Sequence, residues 1–374
     1  MSKRDFFLFC ISFFTLSFGV AAMGALVPSI SVYFGVDHSR AARLVWLYML
    51  PYGICALVWS PLTRVMTVKK IFLFTMLGYS LATLGFSFSA TLKQAYVFRF
   101  LMGCFGCSFV PLILITIGKT VNKGKKSKYI GILFALSYVS TCVSMFLSGL
   151  IPWRGLYLIP AILSFLIFLI MPLTLDEFDF RGERFKISYA ATFRDRQAVH
   201  FFIVVVLVSF LYHSIQQWLG VYFKTQYGLQ QVLISSILTV STVSATGAEF
   251  LGGILATRLG NISIARIGFI VMAFFCGAVL FLRLYQLFFI AMIFWGGGWA
   301  LTHVGLSSHL AHFPDGILRD TSSLNSSLRF FAGGIGVWIG GISISSLGFM
   351  THFLVVGTLF FIIGFFLRKT LKRA

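Results

Sequence analysis

Long apolar stretches alternate with short polar connectors along the whole of this 374-residue chain. A helix needs about 20 apolar residues to cross the hydrocarbon core of a bilayer, and each stretch reaches roughly that length. Backbone N–H and C=O groups cannot stay unpaired in hydrocarbon, so the stretches are predicted to be helices. The twelve predicted spans are residues 6–34, 42–63, 70–91, 94–118, 128–150, 155–175, 200–223, 231–256, 264–283, 286–312, 322–346 and 351–368.

One substantial polar segment interrupts this pattern, at residues 176–199. Six predicted spans precede it and six follow it. The sequence therefore predicts an N-terminal six-helix bundle at 1–175, a cytoplasmic central linker at 176–199 and a C-terminal six-helix bundle at 200–374. The halves also resemble each other weakly, because the second and eighth spans both end in Leu, a small residue, Arg and a turn. Weak internal similarity of this kind is typical of membrane carriers built from repeats.

Lysine and arginine are distributed unequally between the two sets of connectors. With the N-terminus placed inside, the inner connectors and tails hold 22 of these residues and the outer connectors hold 6. Short cytoplasmic loops of membrane proteins retain Lys and Arg in this way. We therefore expect a multi-pass protein of the cytoplasmic (inner) membrane, surrounded by membrane lipids, with both termini in the cytoplasm.

The composition agrees with a chain whose solvent is lipid, since 58% of the residues are hydrophobic, 11% are charged and 44 are Phe. The net charge of +20 lies in the connectors of an apolar chain. A nucleic-acid partner is therefore not expected. The six cysteines fall within predicted spans, and Cys104 and Cys107 are interpreted as packing residues one turn apart. No metal site, disulfide or cofactor is expected, and no phosphate-binding loop for ATP is present.

Glu249 is the only acidic residue predicted to lie well inside a span. Ionisable groups inside a bilayer are costly to place there and are usually functional. A carboxyl group at this depth could carry a proton or contact a solute. The structural alternative is that Glu249 only pairs with a basic residue nearer the cytoplasm, such as Arg258 or Arg329.

Three other spans carry polar or aromatic residues that could face an aqueous cavity. The polar positions of the seventh span are spaced as a stripe on one side of a helix. Buried polar groups need partners or water, so the alternative for each is a hydrogen bond between helices. The candidates for a substrate cavity are His213, Gln216, Gln217, Trp218, Trp299, His303, Asn325 and Arg329.

Several motifs resemble those of the major facilitator superfamily. Its signature G-x-L-A-D-R-x-G follows the second helix and is repeated after the eighth. Residues 253–260 match the second copy, except that Thr257 replaces the acid. The first copy is degenerate, with Arg64 at the acidic position. Arg99 and Gly103 are similar to the R-x-x-x-G motif of the fourth helix, and the resemblance covers essentially the whole chain.

This resemblance implies an all-α integral membrane protein with twelve transmembrane helices in two pseudo-symmetric six-helix bundles. It also implies that Arg99 takes part in proton transfer, or that it anchors neighbouring helices. The candidates for a cytoplasmic gate are Arg64, Lys69, Gly253, Arg258, Gly260 and Asp320. In the family, an acid after the second helix lies against the N-terminal end of the eleventh. Here we expect a swapped arrangement, in which Asp320 caps the eleventh helix and Arg64, with Lys69, pairs with it.

The expected function is secondary active transport of a small, amphiphilic solute by alternating access, with protons as the coupling ion and the protein acting as a monomer. Abundant Phe and few buried charges favour efflux. The G-P-x-x-G-G motif of many proton-driven exporters is absent from the fifth helix, so proton-coupled uptake of a metabolite or siderophore-like compound is an alternative. A remote alternative is a membrane enzyme acting on a lipid-linked substrate. Its only candidate cluster, Asp176, Glu177 and Asp179, resembles ordinary loop charge, and no catalytic residue is expected.

Overall fold

The computed structural model describes residues 1–181, 192–310, 313 and 315–372. At Ser60, Lys123, Gly124, Ser127, 315–323 and Lys372 it describes the backbone alone. The chain divides into two units, Met1–Lys186 and Ile187–Ala374, called here the N-terminal and C-terminal units. The division falls within the segment that the sequence predicts as a linker.

The described part of the N-terminal unit is built from eight helices. They are α1 (Lys3–Ala21), α2 (Met23–Phe34), α3 (His38–Leu62), α4 (Val68–Ser87), α5 (Leu92–Gly106), α6 (Phe109–Thr120), α7 (Lys123–Leu147) and α8 (Trp153–Thr174). Side chains satisfy N–H groups that a helix start leaves without partners. Ser2 and Asp5 form such a capping box at α1, and Thr91 and Gln94 form another at α5.

The first and fourth spans each consist of two helices, whereas the sequence predicts one continuous helix for each. The fourth span breaks between Gly106 and Phe109, near the middle of the continuous helix expected over 94–118. Pro111 follows four residues after Cys107, and the ring of a proline clashes with the carbonyl group of the residue four positions earlier. This proline therefore gives a physical reason for the break.

The described part of the C-terminal unit has six α-helices and one 3₁₀ turn. They are α9 (Arg196–Gln216), α10 (Leu219–Tyr227), α11 (Gln231–Leu259), α12 (Asn261–Ala278), the 3₁₀ turn Val279–Phe281, α13 (Tyr285–Leu310) and α14 (Asp315–Lys372). The helix α14 is interrupted at Gly348, which has φ 78° and ψ 166°. Glycine adopts a positive φ at low cost because it has no Cβ. The two limbs of α14, 315–347 and 349–372, are therefore separate spans.

Within the described residues, eleven segments are long and apolar enough to cross a membrane. The longest, Leu324–Leu371, contains Gly348 and supplies two spans. This confirms the prediction of an all-α membrane protein with twelve transmembrane helices. One helix start differs from expectation, because α14 begins at Asp315 and Asp320 lies inside it rather than at its cap. Pro314 directly precedes this start, and proline is tolerated where a helix begins.

The helices pair in the same pattern inside each unit. In the N-terminal unit α1 packs against α7, α3 against α5, and α4 against both α5 and α8. In the C-terminal unit α9 packs against α14, α11 against α13, and α12 against both α13 and α14. The weak sequence similarity between the halves thus corresponds to a repeated packing arrangement.

Serine side chains hold the first and fifth spans together. The hydroxyl of Ser140 donates to the carbonyl of Phe14 at 2.6 Å, and that of Ser144 donates to the carbonyl of Phe18 at 2.7 Å. Small residues allow membrane helices to approach closely enough for such bonds. The equivalent pair of the C-terminal unit uses the same device, since Ser209 donates to a carbonyl of α14 at 2.6 Å.

Two of the acidic residues that begin the linker form ion pairs with arginine side chains. Asp176 pairs with Arg4 at 3.1 Å, and its N–H donates to the carboxylate of Asp5 at 3.0 Å. Asp179 pairs with Arg181 at 2.6 Å, and the hydrogen bonds from Arg181 lower the pKa of Asp179 to about 2. These contacts fit the interpretation of the cluster as loop charge.

Candidate functional site

Glu249 and His303 form a hydrogen-bonded pair in the C-terminal unit. The Nδ1 atom of His303 on α13 lies 2.8 Å from the Oε1 atom of Glu249 on α11. The side chain of His303 is 33% exposed and that of Glu249 is 19% exposed. The sequence suggested Arg258 and Arg329 as partners for Glu249, and it did not suggest His303. Arg258 is exposed near the end of α11.

A row of four stacked rings adjoins this pair. The ring centroids of Trp295 and Tyr212 are 5.0 Å apart and their planes differ by 15°. Tyr212 and Trp299 stack at 3.9 Å and 15°, and Trp299 and His303 at 6.1 Å and 23°. The row therefore runs from Trp295, which is fully buried, to the half-buried His303 bound to Glu249.

The order of this row follows from helical spacing. Trp295, Trp299 and His303 are four residues apart on α13, and residues at this spacing lie on the same face of a helix. Tyr212 on α9 inserts beside them, and Gln216, one turn further along α9, accepts a 2.6 Å hydrogen bond from the indole N–H of Trp295. Stacked aromatic side chains give a rigid apolar surface with a fixed polar edge.

His213 lies edge-on to Trp299, with their ring centroids 5.8 Å apart. Its Nδ1 atom is 2.8 Å from the carbonyl oxygen of Ser209. A carbonyl oxygen can only accept, so Nδ1 carries the proton and Nε2 is the acceptor of the neutral ring. His213 therefore presents an acceptor at the row of rings.

Arg329 adjoins Trp299 from α14. Its guanidinium carbon lies 6.0 Å from the centre of the indole ring, and its Nε donates to Asn325 Oδ1 at 3.2 Å. Arg329 is buried, with 9% of its surface exposed. The fold thus gathers the predicted residues His213, Gln216, Trp299, His303, Asn325, Arg329 and Glu249 around one set of aromatic rings.

Two predicted cavity residues lie elsewhere. Trp218 is buried, and its indole N–H donates to the carbonyl of Val337 at 3.0 Å. It therefore packs the seventh span against α14, apart from the stacked rings. Gln217 is half-buried at the break between α9 and α10.

Tyr212 and Trp295 belong to the cluster but were not among the predicted residues. The sequence contained a signal for Trp295, because Trp295, Trp299 and His303 repeat every four positions. The signal for Tyr212 was weaker, because its only mark in the sequence is its position directly before His213. In the described parts of the chain, no group of three or more His, Cys, Asp or Glu side chains is placed to hold a metal ion.

Arg99 is fully buried inside the N-terminal unit. Its Nε donates to the carbonyl of Leu44 at 3.1 Å and one Nη donates to the carbonyl of Gly19 at 3.4 Å. The guanidinium also lies over the rings of Tyr48 and Tyr157, at 4.6 and 5.5 Å. Among the described residues no ion pair with a carboxylate includes Arg99. Carbonyl groups and aromatic faces on α1, α3 and α8 therefore surround this charge.

The candidate gate residues are spread over both units. Lys69 donates to the carbonyls of Pro172 and Leu175 at 2.9 and 2.7 Å, so its ammonium caps the end of α8. The side chain of Asp320 lies outside the described residues, so the expected pairing of Lys69 and Arg64 with Asp320 stays a prediction. Arg64 lies half-buried in the turn after α3. In the second motif copy Gly253 and Arg258 are exposed, and Gly260 has φ 86°.

The sequence profile of the Major Facilitator Superfamily matches residues 8–337. The chain belongs to this superfamily. It is therefore a multi-pass membrane transporter of the major facilitator type. An uncharacterised protein of Aquifex aeolicus (strain VF5) is 24% identical over 252 residues, which cover 66% of this chain and 64% of that protein. The chain thus spans less than two thirds of the length of this relative.

Several solved transporters share the fold. A bacterial homologue of the human lysosomal transporter Spinster is 13% identical with a TM-score of 0.79, covering 100% of this chain and 99% of that one. A POT family transporter in complex with 5-aminolevulinic acid is 12% identical with a TM-score of 0.78, covering 98% and 95%. The nucleoside transporter NupG is 14% identical with a TM-score of 0.75, covering 99% and 100%.

Proposed function

We propose that this protein is a proton-coupled secondary active transporter that moves a small amphiphilic solute across the cytoplasmic membrane, outward by preference, with both termini in the cytoplasm. The observation that carries the proposal is the 2.8 Å pair of Glu249 and His303 beside a row of stacked rings. This pair supports the proposal because a carboxyl group that could take up a proton lies beside aromatic rings that an apolar solute could contact.

The coupling role is argued from the cost of a charge at membrane depth. A carboxylate inside a bilayer is unfavourable unless it is paired or protonated. Glu249 can meet this requirement in two ways, by its hydrogen bond to His303 or by taking up a proton. Proton binding would release His303, so the two states of the pair provide a means to link proton uptake to a change at the solute site.

The amphiphilic character of the solute is argued from the lining. Trp299 offers an aromatic face, while Gln216, His213 and Asn325 offer hydrogen-bonding groups near it. Apolar surfaces with a few placed polar groups are typical of sites for small molecules. NupG is named for nucleosides and the POT family structure holds 5-aminolevulinic acid, which supports a small organic solute here.

Efflux is favoured by the Phe-rich spans and by the small number of charges within them. Uptake is the second candidate, because the fifth span, which contains α7, lacks the exporter motif.

For Arg99 we propose an anchoring role within its unit, with a part in proton transfer as the alternative. A cytoplasmic gate that uses Arg64 and Asp320 remains a proposal from the sequence.

The test is solute-dependent proton movement in vesicles that contain the purified protein. Amphiphiles, organic acids and sugars are added one at a time while internal pH is followed with a dye. Glu249→Gln should abolish gradient-driven transport and keep exchange of solute for solute. Glu177→Gln, at an exposed linker position, is the matched control and should behave as the native protein. Full proton-driven transport by Glu249→Gln would refute the coupling role, and the sign of the proton movement decides between efflux and uptake.

A further inference from the structure

At the end of the row of rings, the imidazole of His303 contacts both the indole of Trp299 and the carboxylate of Glu249. The imidazole of His303 is a flat ring that stacks on Trp299 with an interplanar angle of 23°. The same ring is bonded to the carboxylate of Glu249 at 2.8 Å. Indole and carboxylate together therefore already hold a flat ring that carries an N–H donor.

The charge that a solute can reach here is negative. The side chains of Glu249 and His303 are 19% and 33% exposed. Arg329, the nearby cation, is buried against Trp299 and is bonded through Nε to Asn325. Ionisable groups in transmembrane helices face a water-filled cavity or the bundle interior rather than lipid. Of these two charged groups, the carboxylate of Glu249 is thus the more exposed.

The two histidines add acceptors to this carboxylate. His213 donates from Nδ1 to the carbonyl of Ser209, which makes Nε2 its acceptor. With Glu249 ionised and the imidazole of His303 neutral, Nδ1 of His303 donates and its Nε2 is also an acceptor. The centroids of both rings lie about 6 Å from that of Trp299, at 5.8 and 6.1 Å. Groups that can accept hydrogen bonds therefore lie near the indole ring of Trp299.

The geometry points to solutes of one chemical class, in which a flat aromatic ring carries a protonated amine. The ring packs along Trp299, and the ammonium group donates to Glu249 in place of Nδ1–H of His303. The electron-rich face of an indole also attracts a cation. This inference rests on the proposed function and names the solute of the same site.

The test is isothermal titration calorimetry on the full chain in detergent at neutral pH, with no proton gradient. Phenethylamine, phenethyl alcohol and phenylacetate share a ring and have similar length, and they carry a positive, a zero and a negative charge. We expect the amine to bind about tenfold more tightly than the alcohol, which corresponds to roughly 1.4 kcal/mol, and the acid to bind most weakly. Glu249→Gln should remove this preference and leave alcohol binding within about twofold. Glu177→Gln is the matched control.

The order of the three ligands on the native protein tests the inference even if a variant does not fold. A second variant, Trp299→Phe, keeps an aromatic face and should retain the preference for the amine, whereas Trp299→Leu should weaken amine and alcohol alike. Equal binding of all three ligands, tighter binding of phenylacetate or no binding of phenethylamine overturns the inference. Proton movement driven only by acids or sugars in vesicles would leave the proposed coupling in place and overturn this inference alone. A Glu249-dependent amine preference without proton movement would overturn only the coupling.

Discussion

The hydrogen bond between Glu249 and His303 makes a quantitative prediction about stability. It joins α11 to α13 at 2.8 Å, between side chains separated by 54 residues in sequence. The perturbations are Glu249→Ala and His303→Ala, made singly and together. Each single change removes one partner and leaves the other half-buried group to be satisfied by water or not at all.

The magnitude follows from the burial of the pair. Ion pairs on protein surfaces contribute about 0.2–1 kcal/mol, and hydrogen bonds to charged groups contribute about 1.5–3 kcal/mol. Side-chain exposures of 33% and 19% place this pair between these cases, with solvent screening reducing the upper figure. We therefore expect a coupling energy of about 1–2 kcal/mol between the two positions.

The assay is equilibrium unfolding of the purified protein in detergent by a chemical denaturant, followed by circular dichroism. The four proteins of the cycle give the coupling energy directly, because contributions that do not depend on the partner cancel. If the losses add to within about 0.5 kcal/mol, the two side chains do not interact energetically and the contact is incidental. Glu177→Ala, which removes the same chemical group at an exposed position, should leave the unfolding free energy unchanged.

Three further predictions concern the N-terminal unit and the orientation of the chain. Arg99→Met should retain more thermal stability than Arg99→Lys, because methionine fills the buried space without a charge while lysine brings a charge with fewer donors; the reverse order of melting temperatures would contradict this. A single cysteine at Glu177, in a chain otherwise free of cysteine, should react with an impermeant maleimide only in inside-out vesicles, and labelling of intact cells would reverse the proposed orientation. Ser140→Ala and Ser144→Ala should each lower the unfolding free energy by about 1 kcal/mol through loss of a hydrogen bond to α1; unchanged free energies would show that these bonds contribute nothing net.

The sequence alone was sufficient for the number and type of the spans. Hydropathy is a property of about 20 consecutive residues, and lipid imposes helical structure on any such segment that crosses it. What it did not show were interruptions within spans, such as the break after Gly106 and that between Gln216 and Leu219. Such breaks depend on single residues and on contacts with neighbouring helices. The mean hydropathy of about 20 consecutive residues is not sensitive to either.

For the candidate site, the sequence identified most of the residues but not their arrangement. Polar groups at membrane depth stand out against an apolar background, which is why Glu249, His213 and His303 were found. Trp218 stands out equally well, yet it packs between helices. Composition and spacing cannot separate a polar residue of the site from one that packs between helices. A residue of either kind satisfies the requirement that a buried polar group has a partner.

Only the tertiary structure decided which groups meet. The pairing of Glu249 with His303 and the insertion of Tyr212 between Trp295 and Trp299 bring together α9, α11 and α13. The bonds from the ammonium of Lys69 to carbonyl groups at the end of α8 are another contact that the sequence did not predict. Local sequence fixes which face of a helix a side chain occupies, and hydropathy fixes which segments enter the membrane. The partner across a helix interface is set by the packing of distant segments, and no short stretch of the sequence contains that information.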